Sequence, residues 1–154
     1  MDRNLPSHDP LRPGGRNTGT FSVLFFLLMT AVYLLKVNRS ALFLSEHSVS
    51  LLPLLWLCSP LVIFALFPLY SYLTARYRGA VILAAAALLV AGSLLLFVPL
   101  FAWQRSVASA VFYVWLDVAV VFLIESFWGV NGDYYSLEGG KKYFGYIAAA
   151  GTLG

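Results

Sequence analysis

The chain has 154 residues, of which 60% are hydrophobic and 11% charged, against about a quarter charged in soluble domains. No water-soluble fold of this length hides that much apolar surface, so the sequence reads as an integral membrane protein built from spans of about 20 apolar residues. The formal charge of +3 is read as topology, because Lys and Arg collect in cytoplasmic loops, and not as a sign of nucleic-acid binding.

Residues 1–20 combine Pro6, Pro10, Pro13, Gly14 and Gly15 with Arg3, Arg12 and Arg16 and show no periodicity, which predicts a disordered basic cytoplasmic leader. The transmembrane domain is expected over 21–154. Its first span, about 21–44, is apolar to Leu35 and is then interrupted by Lys36, Asn38 and Arg39 before the apolar run resumes. The stretch up to Leu35 is too short to cross a core of roughly 30 Å, so the helix is expected to continue through both cations. A polar connection with Glu46 and His47 leads to the second span, about 51–73, which carries Pro53, Pro60 and Pro68. Prolines kink membrane helices where neighbours re-satisfy the freed carbonyls.

The turn Arg76-Tyr77-Arg78-Gly79 precedes the third span, about 80–103, whose alanines and Gly92 predict close packing inside the bundle. Gln104 and Arg105 form the next turn, and the fourth span, about 107–130, contains Asp117 and Glu125. A polar loop from Asn131 to Lys142 follows, then a fifth apolar run from Tyr143 to Gly154. That run would rise only about 18 Å as a helix. The sequence is therefore expected to be a fragment whose C-terminal half is missing. With the leader inside, Arg3, Arg12, Arg16, Arg76, Arg78, Lys141 and Lys142 share the cytoplasmic face and Arg105 stands alone opposite. This bias predicts a multi-pass protein of the cell (inner) membrane with its N-terminus in the cytoplasm.

A charge at the centre of a membrane helix costs about 2.5–3.5 kcal/mol, so one that stays there faces the bundle interior and has a partner or a task. Asp117 lies roughly 15 Å below the outer end of its span and Lys36 roughly 22 Å above the inner end of its own, so the two can pair. Arg39 sits about 60° round the helix from Lys36. The two cations either line one wall of a cavity that attracts an anion or snorkel toward the outer headgroups. Asp117 is either a structural partner or a group that takes part in transport. Glu125, nearer the cytoplasmic end, is expected to pair with Arg76, Arg78, Lys141 or Lys142.

The remaining candidates read blandly. Cys58 is alone in an apolar run, Trp56, Trp103, Trp115 and Trp128 suit interface anchors or packing, and His47 suits a solvated position. The sequence lacks a phosphate-binding glycine loop, a His/Cys metal spacing and a Gly-x-Ser-x-Gly elbow, so neither an enzyme, a metal nor a cofactor is expected.

The segment 112–154, FYVWLDVAVVFLIESFWGVNGDYYSLEGGKKYFGYIAAAGTLG, resembles the ATP/ADP translocase (nucleotide transporter) family and its bacterial major-facilitator-like relatives. The resemblance rests on Phe112, Tyr113, Asp117, Phe127-Trp128, Glu138, Lys141-Lys142, Tyr143 to Gly145 and the small-residue run Ala148 to Gly154, with LLKVNRSAL in the first span. Arg39 stands where the family carries an important lysine, and Asp117 where it carries a glutamate. Ala75-Arg76-Tyr77-Arg78-Gly79 is similar in position to a loop of the major facilitators. The resemblance implies an all-α membrane bundle, the N-terminal part of a major facilitator-type fold. It also implies a secondary transporter of an anionic solute such as a nucleotide, with Lys36, Arg39 and Asp117 at the substrate or gate. The alternatives are a non-transporting scaffold or sensor anchor and a proton-coupled drug or metabolite facilitator.

Overall fold

The computed structural model describes residues 14–135 and 137–154, with side chains from 18 to 135 and from 143 to 154. It is all-helical, and no strand occurs among the described residues. The helices are α1 (Gly14–Glu46), α2 (Leu52–Arg76), α3 (Gly79–Trp103), α4 (Arg105–Tyr134) and α5 (Leu137–Leu153), with a short 3-10 turn at Val49–Leu51 ahead of α2. Four stretches, Thr18–Glu46, Val49–Arg76, Gly79–Trp103 and Arg105–Tyr134, are long and apolar enough to cross a membrane, as in a multi-pass membrane protein.

Several boundaries differ from the sequence expectation. α1 begins at Gly14 rather than Phe21 and takes in part of the basic leader, while residues 1–13 lie outside those described. It runs unbroken through Lys36 and Arg39 to Glu46, since the backbone bonds of a helix in lipid have no better partner than one another. The loop expected over 131–142 is mostly helix, because α4 continues to Tyr134 and α5 starts at Leu137. Pro53 falls at the start of α2, where its missing N–H costs nothing. Pro60 and Pro68 lie inside α2, which remains one helix through both.

Contacts divide the chain into two compact units, one joining α5 to α1 up to Thr30 and the other formed by Ala31–Asp133. In the first, the aromatic rings of Phe21, Tyr134, Tyr135, Tyr143 and Phe144 cluster at centroid distances of 5.4–6.0 Å. The Thr18 and Tyr135 hydroxyls are hydrogen-bonded at 3.0 Å. Gly151 lies against the Phe25 ring so closely that a Cβ there would overlap it, and Gly154 sits on the Phe26 carbonyl. Small residues in the last helix thus serve close approach.

In the second unit the core comprises Val32, Phe97, Phe112, Leu116 and Val120, flanked by Leu35, Phe101 and Trp115. The expectation that α3 is the interior span is corrected. In the most apolar window of α3 none of the residues is buried, against 44% in α4. Leu88, Leu95 and Leu96 on α3 are all more than 70% exposed, and a Cβ on Gly92 would meet nothing within 4 Å. The alanines of α3 therefore lie largely on an exposed face, and α4 is the most buried of the four spans. At the α3 N-terminus Asp133 accepts a hydrogen bond from the Gly79 backbone N–H at 3.3 Å. Arg78 makes no cap of its own, so the carboxylate from the end of α4 meets the positive end of the α3 dipole.

Candidate functional site

The three charges expected inside the membrane come together in the second unit, and one of the two cations takes the carboxylate. Asp117 forms its ion pair with Arg39 Nη1, not with Lys36. The sequence places both cations at a suitable depth, and the rotation of α1 decides between them. Arg39 is 8% exposed, its guanidinium lies 4.0 Å from the centroid of the Tyr113 ring, and Nη1 also donates to the Tyr113 carbonyl at 3.0 Å. Tyr113 and Asp117 are one helical turn apart, so a single face of α4 supplies ring, carbonyl and carboxylate. Arg39 Nε is buried without a hydrogen-bond partner.

From α2, Ser59 is buried and donates its hydroxyl to Asp117 Oδ2 at 3.1 Å, with the Leu55 carbonyl as an alternative acceptor at 3.1 Å. The Trp56 indole N–H donates to the Tyr113 hydroxyl at 3.1 Å. These bonds connect α1, α2 and α4 through one polar cluster in an apolar surround, where an unpaired group is most costly. Trp56 thus joins this cluster through its indole N–H while the residue as a whole is 60% exposed. Trp103 is 81% exposed at the end of α3.

Lys36 and Asp117 line an open cleft of about 290 Å³, walled by Trp56, Ser59, Pro60 and Ile63 of α2 and by Val120 and Val121 of α4. Lys36 is half-buried, and its ammonium makes no ion pair among the described residues. The cleft thus has one uncommitted cation beside a neutralised pair.

Of the expected partners of Glu125, Arg76 and Arg78 form no ion pair with it. Glu125 is exposed on α4 and has no ion pair among the described residues. Arg76 donates to the Tyr72 hydroxyl at 3.1 Å, and the side chains of Lys141 and Lys142 lie outside those described. Helical spacing puts Glu125 two turns below Asp117 on the same stripe as Val121, about 12 Å along the axis. His47 also departs from its expected solvated role. Its Nε2–H donates to the Ser106 carbonyl at 2.9 Å, and its ring stacks on Phe43 with centroids 4.7 Å apart. Cys58 is a half-buried free thiol, and no group of metal-ligating side chains occurs among the described residues.

Ser59 and Asp133 are polar partners that the sequence reading passes over, and Trp56 and Tyr113 are ones whose hydrogen bonds it does not foresee. A hydroxyl next to Pro60 in an apolar span, and the one-turn spacing of Tyr113 and Asp117, are the signals that point to Ser59 and Tyr113. No known protein family, curated protein or solved structure matches the chain.

Proposed function

We propose that the chain belongs to a secondary membrane carrier for an anionic solute, in which Lys36 meets the solute and the Arg39–Asp117 pair forms the adjacent gate. The observation that carries this reading is the uncommitted Lys36 ammonium in a cleft beside an ion pair, all within spans otherwise almost free of charge. Charges held there at such cost are retained for a task. An anion approaching Lys36 would compete with Asp117 for the nearby positive charge, so binding and the state of the gate are coupled.

The resemblance of residues 112–154 to nucleotide transporters supports a major facilitator-type architecture, in which two helical bundles rock about a midplane site and this chain supplies part of one. In this reading the N-terminus is cytoplasmic, since that places Arg76 and Arg78 inside. The test is flux of labelled organic anions, ATP included, into vesicles from the native membrane with the gene intact, deleted, or carrying Asp117→Lys or Lys36→Met. Flux that falls to the deletion level in both variants is expected. Flux unchanged by the deletion would favour a scaffold whose ion pair only pins helices. Flux that follows a proton gradient and survives Lys36→Met would favour a proton-coupled facilitator.

A further inference from the structure

We infer that the cleft takes a small organic monoanion with an apolar or aromatic body, such as a monocarboxylate, and rejects polyanions, nucleotides among them; this rests on the anion-site reading above. The charge count comes first. Arg39 and Asp117 cancel each other in their ion pair, which leaves Lys36 as the one net positive charge lining the cleft among the described residues. In a low-dielectric surround a ligand of charge −1 brings the cluster to neutrality, whereas each further negative charge is desolvated without a partner. The charged group nearest along α4 is Glu125, two turns from Asp117, and it repels a polyanion further. α2 contributes only uncharged residues to the wall.

The inventory of donors leads to the same result. The Ser59 hydroxyl is directed to Asp117 or Leu55, the Trp56 N–H to Tyr113, and Arg39 Nη1 to Asp117 and the Tyr113 carbonyl. Arg39 Nε has no partner but is buried, and Arg39 is not among the residues that line the cleft, so the Lys36 ammonium is the donor that the described lining residues leave to a ligand, and one ammonium suits one carboxylate-sized head. The rest of the described wall is Trp56, Pro60, Ile63, Val120 and Val121, which suits an apolar body. At about 290 Å³ the cleft lies at the lower end of the range of about 300–1,000 Å³ for small-molecule sites.

Equilibrium binding of benzoate, succinate, ATP and benzylamine to the purified protein in lipid nanodiscs tests the assignment. Benzoate is expected to bind saturably, with succinate and ATP weaker by about tenfold or more. Lys36→Met, checked by its melting temperature to be folded, is expected to abolish benzoate binding, and Lys36→Arg to restore it. ATP or succinate binding as tightly as benzoate would overturn the monoanion assignment while leaving the anion site intact. If none of the anions binds above the Lys36→Met background, or if benzylamine binds as tightly as benzoate, both the assignment and the anion-site reading fail.

Discussion

At the scale of single residues, the ion pair explains why Arg39 and Asp117 tolerate burial. Each is the other's counter-charge, and Tyr113 and Ser59 satisfy further valences of the pair. Removing one partner strands the other in an apolar surround, which costs about 3–5 kcal/mol, while removing both together costs far less. Asp117→Leu and Arg39→Leu should each lower stability in detergent by that order, and the double variant should recover most of the loss. Unfolding titrations of the three variants check this, and additive losses would mean that the two residues do not interact. The sequence made the three charges legible, because any intramembrane charge stands out. It did not disclose the pairing, because α1 is apolar around most of its circumference and hydropathy leaves its rotation unspecified.

At the scale of helices, the same ambiguity accounts for α3 and α4. Small residues in α3 suggested an interior helix, yet Leu88, Leu95, Leu96 and Gly92 lie at the exposed surface. In a bilayer, burial does not track apolarity, because lipid is as apolar as a protein core. What distinguishes α4 is its mixture of large rings and small polar groups, Phe112, Tyr113, Ser109 and Ser126 among them, all buried. Span existence was readable from length and hydropathy, whereas the continuation of α4 and the early start of α5 were not, since the polar letters there resemble a loop. Gly151 and Gly92 offer a contrast at this scale. Gly151→Leu must displace the Phe25 ring and should destabilise by about 1–3 kcal/mol. Gly92→Ala meets nothing within 4 Å and should leave the melting temperature unchanged or raise it slightly. Equal effects of the two substitutions would contradict the packing described.

At the scale of the whole molecule, a chain with four helices long and apolar enough to cross a membrane confines most of its chemistry to one cleft. The surface elsewhere is lipid-like, with Phe64 82% and Leu88 74% exposed. The central claim is that Lys36 faces a water-reached cleft within the membrane instead of snorkelling along a lipid-facing surface. Val37, its neighbour at the same depth, is 69% exposed on the outer surface of α1 and provides the control. The most direct measurement is labelling of Lys36→Cys and Val37→Cys, each in a Cys58→Ser background, by a charged, membrane-impermeant thiol reagent in native membranes. Rapid labelling at position 36, slowed by a bound anion, with little labelling at position 37 is the predicted result. Equal reactivity at the two positions, or none at position 36, would contradict it.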